Sequence, residues 1–316
     1  MTSRASNDML VTSDSGTSVP ESEDFDVGTR RWRTKVARSI VPTLAMTPFV
    51  VYTFLGLGIP VLIVANLAFR SETGRLTLAN LRLISHGTYL LGFENSLILA
   101  LISSIVPGIL GLVLAYAIET SHSSLLRRLV ATASGVLANF GGINLTFMFI
   151  ATIGFTGILT GWLSVVHLNP WNHGFNLYSF YGVAFVYLYF QVPLMVLVIT
   201  PALGGLRASW REAAENLGAS SWRYWRYVGI PVLLPSVLGA MLLLFGSAFA
   251  AYATAETLTA GTVTLAPIQI GAFLTGNQIS GQQHVGYAIG LGMLMVLAIT
   301  MTLYGLVRRR ASKWLR

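Results

Sequence analysis

The sequence contains no cysteine and few charged residues. Its 316 residues include 20 Lys and Arg and 12 Asp and Glu, so that charged residues make up 10% of the chain and hydrophobic residues 54%. An average soluble domain has roughly 25% charged residues. The absence of cysteine excludes a disulfide framework, a thiolate metal site and a thiol nucleophile. The composition therefore indicates a membrane protein.

Six apolar segments are long enough to cross a bilayer, which requires roughly 20 residues. They lie at 48–69, 95–118, 129–153, 178–203, 231–253 and 285–307. The shorter apolar piece at 157–168 is predicted to be interfacial or re-entrant. We therefore predict an all-α polytopic membrane protein with six transmembrane helices in a domain at 41–310, between a polar, disordered tail at 1–40 and a basic end at 311–316.

The distribution of Lys and Arg predicts the orientation of these spans, because cytoplasmic flanks collect positive charge. If the N-terminus is inside, the inner flanks at 30–38, 127–128, 207–226 and 308–316 are basic, whereas the loops at 154–179 and 254–284 have no Lys or Arg. Arg70, Arg75 and Arg82 oppose this bias, and a folded external cap would accommodate them. Both termini and the loop at 207–230 are predicted to be cytoplasmic. The formal charge of +8 does not indicate nucleic-acid binding, because the basic residues flank apolar runs.

The loop between the fourth and fifth spans has the most specific pattern in the chain. Ser209, three residues before Glu212, is typical of a capping box that starts a helix. Gly218 permits a tight turn before a second helix capped by Ser220 or Ser221. The next span is predicted to begin at Pro231, where a missing amide hydrogen matters least. Seven residues define the pattern: Glu212, Ala213, Ala214, Gly218, Val228, Ile230 and Pro231.

These seven residues resemble the EAA loop of binding-protein-dependent ABC importer permeases. In that loop E-A-A is followed after three residues by Gly and after nine more by Ile-x-Leu-Pro, from which Val228 and Ile230 are conservative departures. The resemblance extends over about 48–310. It implies a type I ABC importer permease fold in the bacterial inner membrane, with a cytoplasmic coupling helix that docks on a separate ATPase. Glu212 would then pair with a cationic group of that ATPase.

The resemblance also implies the partners. They are two ABC ATPase subunits, a second permease subunit that is a distinct chain, an extracellular solute-binding protein and membrane lipid, with no cofactor. The chain has no G-x-x-x-x-G-K-[ST] motif, so the ATPase must be another polypeptide and no enzymatic activity is expected here. Residues 187–218 most resemble the spermidine/putrescine-type branch, which also has relatives for ferric iron and phosphonates. The expected solute is a polyamine or a similar small ion.

Polar residues in or near the apolar segments are candidates for the transport pathway, because such residues are unfavourable in hydrocarbon. Glu256 is the strongest candidate, and Tyr252 offers an aromatic ring to a cation. Asn139, Asn144 and Gln191 are further candidates. The alternative places Glu256 in the outer interface and uses the three amides to join helices.

Two other classes of function are considered. An ATP-independent channel or secondary carrier is disfavoured by the lack of a clear internal repeat. An intramembrane hydrolase would need a nucleophile and a base such as Ser134 and His284. Position 132 is Thr, however, where a rhomboid-like G-x-S-G motif requires Gly, and the five His residues show no metal-ligand spacing.

Overall fold

The computed structural model describes residues 46–71, 73–121, 123–274 and 283–314. The predicted tail at 1–40 and its boundary lie outside the described residues, so the predicted domain division stays a prediction. Contacts divide the chain into two units, 1–60 and 61–316, and each is described by itself. The described residues of the first unit belong to the first helix.

Twelve helices and the short 3-10 helix Pro170–His173 lie in the described part of the chain. The twelve are α1 (Met46–Ala68), α2 (Ala79–Ile84), α3 (Gly87–Glu119), α4 (Ser124–Leu137), α5 (Ile143–Ile153), α6 (Ile158–Val165), α7 (Phe180–Gly204), α8 (Ala208–Asn216), α9 (Ser221–Ala250), α10 (Ala253–Thr259), α11 (Ala266–Leu274) and α12 (Gln283–Trp314). Six segments are long and apolar enough to cross a membrane: α1, α3, α7, α9, Ile143–Val165 and His284–Val307. The predicted fold class and number of spans are confirmed.

The third predicted span, 129–153, is not one helix. α4 ends at Leu137 and α5 begins at Ile143, because Gly142 between them has a φ of +75°, which a helix does not allow. The Gly142 amide donates to Thr254 Oγ1 at 2.9 Å, so a distant residue stabilises the break. α6 lies in the segment 157–168, which was predicted to be interfacial or re-entrant. By length and apolarity, however, α5 and α6 together (Ile143–Val165) form the third candidate span.

α1 and α9 each contain one π-helical turn, at Phe54–Gly58 and Trp225–Gly229. In both, the amide of the following Ile donates to the carbonyl of the first residue of the turn, and a proline comes next, Pro60 or Pro231. Proline lacks an amide hydrogen and crowds the carbonyl four residues back in a regular helix. The wider π turn accommodates it. The prediction that a span begins at Pro231 is therefore wrong, since α9 begins at Ser221.

Gly229→Ala is expected to destabilise the protein at this π turn. A Cβ at position 229 would lie 2.4 Å from Trp225 Cε3, and the Trp225 ring is itself packed edge-on against Tyr116 at 5.3 Å. We expect a loss of about 1–3 kcal/mol, the usual effect of overpacking. Thermal unfolding in detergent measures it, and Gly56→Ala, in the matching turn of α1 with nothing within 4 Å, is the control. Equal melting temperatures for the two variants would contradict the prediction.

The centre of the second unit is formed by α3, α7 and α9. α4 packs on α7, and α12 packs on α9. Small residues let α3 approach its neighbours closely, as in other membrane helix pairs; the buried ones include Ser104, Gly108, Gly111 and Ala115. The outer face of α3 is apolar and exposed, for example 61% at Val113. Such a face is stable against lipid or another apolar helix.

The loop after α1 is folded, as the three opposing arginines led us to expect. Arg70 and Leu76 form an antiparallel bridge. Asn80 Nδ2, which is buried, donates to the carbonyls of Ala68 at 3.1 Å and Arg70 at 2.8 Å. α2 packs on α12. The loop is therefore a compact cap on one end of the helices.

Candidate functional site

The segment at 207–230 forms two helices joined by a tight turn. α8 begins after Arg207, whose backbone is extended and whose side chain makes no capping hydrogen bond. The Trp210 amide donates to the Arg207 carbonyl at 3.1 Å, which closes the first turn. Ser209 lies inside this turn, so the predicted capping box at Ser209 and Glu212 is wrong. α7 ends at Gly204, and the extended Arg207 already occupies the N-cap position, two residues before Ser209.

The end of α8 explains the spacing between Ala214 and Gly218. Gly218 has a φ of +74°; its amide donates to the Glu215 carbonyl, and the Ala219 amide donates to the Ala214 carbonyl, both at 2.9 Å. These two bonds define a Schellman motif, in which the left-handed position favours glycine. Ala214 and Ala219 are the half-buried apolar pair that accompanies it. Ser220 then caps α9, as predicted, by accepting from the Arg223 amide at 3.4 Å.

The turn presents an exposed, mixed surface. Glu212, Ala213 and Gly218 are exposed, and the side chains of Leu217 and Trp222 are 87% and 70% exposed. Among the described residues Glu212 has no ion-pair partner, whereas its neighbours on α8 are paired. Exposed large apolar side chains around an unpaired charge are typical of a protein interface.

The paired neighbours of Glu212 are Arg211 and Glu215. Arg211 Nε lies 3.0 Å from Glu215 Oε1, one helical turn away. The hydrogen bond and the charge of Glu215 raise the pKa of the Arg211 guanidinium. This pair satisfies the charge of Arg211 and leaves Glu212 as the available carboxylate of the turn.

The second helix of this segment is fixed to the body of the protein. Tyr224 is buried, and Trp225 contacts both Tyr224 and Tyr116 of α3 edge-on. The other three residues of the sequence pattern lie just beyond: Val228 is half-buried, and Ile230 and Pro231 are exposed. The chain is helical from Ser221 to Ala250, so the anchored end of this segment is continuous with the fifth span.

A cavity of about 610 Å³ lies at the opposite end of α9. Its walls come from the end of α2, the start of α3, α10, the segment after α10, and α11, and they include Thr88, Tyr252, Glu256 and Gln269. Polar and apolar groups contribute about equally to the lining. Glu256 Oε2 is buried and has no hydrogen-bond partner among the described residues.

Hydrogen bonds between α3 and α11 hold the walls of this cavity. Asn95 Nδ2 donates to the Thr264 carbonyl at 3.0 Å, and Ser96 Oγ accepts from the Ala266 amide at 2.9 Å. Gln269 Nε2 donates to the Thr88 carbonyl at 2.7 Å. The sequence reasoning missed these residues. Gln269 stands between apolar neighbours, and that signal could have identified it.

The structure brings Glu256 and Tyr252 together in the cavity but places the three predicted amides elsewhere. Gln191 is fully buried and donates to the carbonyls of Ser103 at 3.2 Å and Leu244 at 2.8 Å. It therefore joins α7 to α3 and α9, which is the alternative that the sequence left open. Asn139, just after α4, is exposed and donates to the Gly135 carbonyl in the last turn of that helix, and Asn144 is exposed.

The two residues considered for a hydrolase do not form a catalytic pair in the structure. Ser134 is buried in α4. The His284 ring is engaged elsewhere, with Nδ1 3.0 Å from the Leu67 carbonyl oxygen. His284 is thus hydrogen-bonded to the backbone at the start of α12.

The sequence is similar to those of known transport proteins. Residues 108–313 match the family described as "binding-protein-dependent transport system inner membrane component". The chain is 26% identical to the spermidine/putrescine transport system permease protein PotC homolog of Mycoplasma pneumoniae, over 70% of the chain and 71% of the relative. It is also 26% identical to the sulfate transport system permease protein CysT of Escherichia coli, over 48% of the chain and 53% of the relative.

Solved structures share the fold. A chain of a bacterial ABC transporter involved in the import of the acidic polysaccharide alginate superposes with a TM-score of 0.65 at 14% identity, covering 90% of this chain and 99% of that one. A second structure shows a bacterial alginate ABC transporter in complex with an alginate pentasaccharide-bound periplasmic protein, with a TM-score of 0.65 at 16% identity, over 89% of this chain and 98% of that one.

Proposed function

Because this chain belongs to the family of binding-protein-dependent transport system inner membrane components, and is thus an ABC importer permease subunit, we propose that it forms half of a translocation pathway driven through the α8–α9 turn by a separate ATPase. The observation that carries this proposal is the turn itself. It is exposed and offers Glu212, which has no ion-pair partner in the part of the chain that the structure describes, while Trp225 anchors its second helix to α3. A rigid helix–turn–helix transmits the motion of a partner that a flexible loop would absorb.

The docking surface in this proposal consists of Glu212, Ala213, Gly218, Leu217 and Trp222. Ala213 keeps the exposed face of α8 low. Gly218 is exposed and has no side chain, so a partner can approach its backbone closely. Glu212 pairs with a cationic group of the ATPase cleft. Val228, Ile230 and Pro231 set the direction in which α9 leaves the turn.

The remaining partners follow from the proposed assembly. One chain supplies six candidate spans and one turn, so a second permease subunit, a distinct chain, completes the pathway, and two ATPase subunits each receive one turn. An extracellular binding protein delivers the solute. The periplasmic protein in complex with the alginate transporter supports this step by analogy. Both termini and the turn lie on the cytoplasmic side, where the Lys and Arg residues collect.

We propose a small organic cation of the polyamine class as the solute. The relative from Mycoplasma pneumoniae is described as a spermidine/putrescine system, although the relative from Escherichia coli is described as a sulfate system. The cavity supports the cation, because the Glu256 carboxylate lines it, has no hydrogen-bond partner at Oε2 among the described residues and would repel sulfate.

Cysteine labelling tests the orientation on which this function depends. The sequence has no cysteine, so Asn216→Cys in the turn and Asn172→Cys, exposed before α7, are each the only thiol. We expect a membrane-impermeant maleimide to label Asn172→Cys in right-side-out vesicles and Asn216→Cys in inside-out vesicles only. Bound ATPase subunits should protect Asn216→Cys and leave Asn172→Cys reactive. Labelling of Asn216→Cys from outside would rule out docking on a cytoplasmic ATPase.

A further inference from the structure

Two buried acceptor atoms in the cavity beside α10 have no hydrogen-bond partner among the described residues. They are Glu256 Oε2 and Gln269 Oε1. The amide nitrogen of Gln269 already donates to the Thr88 carbonyl, which fixes the oxygen as the remaining group, since the reversed amide would place two oxygens together. Buried polar atoms are normally paired, so each of these two acceptors can take a hydrogen bond from a donor that the described residues do not supply.

Gly92 leaves room for the Gln269 amide beside α3. A Cβ at position 92 of α3 would lie 2.5 Å from Gln269 Oε1 and 2.8 Å from Nε2, so only glycine lets the amide lie against the helix. The neighbouring bonds from Asn95 and Ser96 keep α11 at this distance from α3. The acceptor is therefore oriented before any ligand arrives, which reduces the entropy lost on binding.

The chemistry of the lining selects a cation. The lining that the structure describes contains no Lys or Arg, and Tyr252, 39% exposed, offers a ring beside the carboxylate. An ammonium group has three donors and no acceptor, which complements a carboxylate and an amide oxygen. His86 also faces the cavity and supplies one ring donor or acceptor. A volume of about 610 Å³ is within the range of small-molecule sites.

We propose that this cavity binds a primary ammonium group of the transported solute, with Glu256 as its counter-ion and Gln269 as a second acceptor. This inference rests on the proposed function, which determines the side of the membrane from which the solute arrives. It adds a binding site that lies within one permease subunit. Gln269 is then a residue that determines specificity, and Gly92 is a positioning residue.

A single cysteine inside the cavity can report both its charge and its occupancy. Ala260, which lines the cavity and is exposed, lies one helical turn after Glu256. In the assembled transporter in right-side-out vesicles, Ala260→Cys is labelled with trimethylammonium-ethyl or sulfonato-ethyl methanethiosulfonate. We expect Glu256→Gln to lower the ratio of cationic to anionic labelling rates by about tenfold, because a nearby carboxylate attracts the cationic reagent and repels the anionic one. Glu94→Gln, an exposed carboxylate of α3 outside the lining, should leave the ratio unchanged.

Protection by putrescine measures binding. Millimolar putrescine should slow the labelling of Ala260→Cys several-fold, whereas the neutral analogue 1,4-butanediol should not. Glu256→Gln should abolish this protection. Gly92→Ala should weaken it while keeping the cationic preference, because the charge stays and only the amide moves. An unchanged ratio in Glu256→Gln, or equal effects of putrescine and butanediol, would overturn the ammonium site. Labelling in inside-out vesicles only would instead overturn the proposed orientation, and the charge measurement would stand.

Discussion

Gly218→Asp is expected to abolish ATP-driven uptake while the chain still inserts and assembles. The replacement places a charged side chain at the tip of the α8–α9 turn, where a Cβ meets no atom of the described residues within 4 Å. The fold therefore has room for the aspartate. Its only cost within the protein is the left-handed backbone at position 218, which disfavours a non-glycine residue by roughly 1 kcal/mol. The docked ATPase would not tolerate it. We expect uptake to fall by about thirtyfold or more, as for the loss of a central interface residue worth about 2 kcal/mol.

The measurement is uptake of labelled putrescine into vesicles, with insertion checked by the cysteine labels and assembly by co-purification of the permease partner. Gly174→Asp is a matched control. Gly174 also has a positive φ, +85°, and an open surrounding, but it follows the short helix Pro170–His173 before α7. It should carry the same backbone strain and transport normally. Normal ATP-dependent uptake by Gly218→Asp would exclude this turn as the coupling element.

Glu212→Ala, measured in the same experiment, removes the carboxylate charge without changing the shape of the turn. It leaves the Schellman motif intact, because the bonds of Gly218 and Ala219 go to the carbonyls of Glu215 and Ala214. A loss of uptake in Glu212→Ala that follows weaker ATPase co-purification identifies the carboxylate as a docking contact. A loss of uptake with full co-purification would show that Glu212 acts after docking.

The parts of the fold that the sequence predicted are those with local causes. Long apolar runs specify the helices because a membrane span must satisfy its own backbone hydrogen bonds. The α8–α9 turn was predictable for the same reason, since the Schellman bonds join residues only three and five positions apart. The start of α8 was mispredicted, although it is local. A serine followed three residues later by Glu gives a capping signal wherever it occurs, and here the helix had begun at Ala208.

The cavity and the break in the third span could not be predicted, because contacts between distant residues create both. Gln269 bonds to Thr88, and Gly142 bonds to Thr254, across more than a hundred residues in each pair. A single sequence contains no information on which polar residues meet across such separations. Gln191 shows the same limit. Its polarity in an apolar helix was visible, but its two carbonyl partners on α3 and α9 decide that it joins helices.

Gly111→Leu is expected to prevent stable packing of the central helices. A Cβ at position 111 would lie 2.5 Å from Met195 Cβ and 2.9 Å from the Val192 carbonyl oxygen, so the backbones of α3 and α7 are nearly in contact there. Neither neighbour can move without shifting α7. The larger side chain must separate the two helices, and we expect a loss of about 3 kcal/mol or more.

Thermal unfolding of the purified chain and its partner in detergent, together with the yield of monodisperse complex, measures this loss. Gly111→Ala should show a smaller decrease in the same direction, because even one methyl group meets Met195. Gly305→Leu in α12, with nothing within 4 Å of its Cβ, is the control for adding leucine to an apolar helix. If Gly111→Leu and Gly305→Leu unfold at the same temperature, close α3–α7 contact does not hold the bundle together. A graded loss from Gly to Ala to Leu would instead show that this contact supports the frame on which both the α8–α9 turn and the cavity depend.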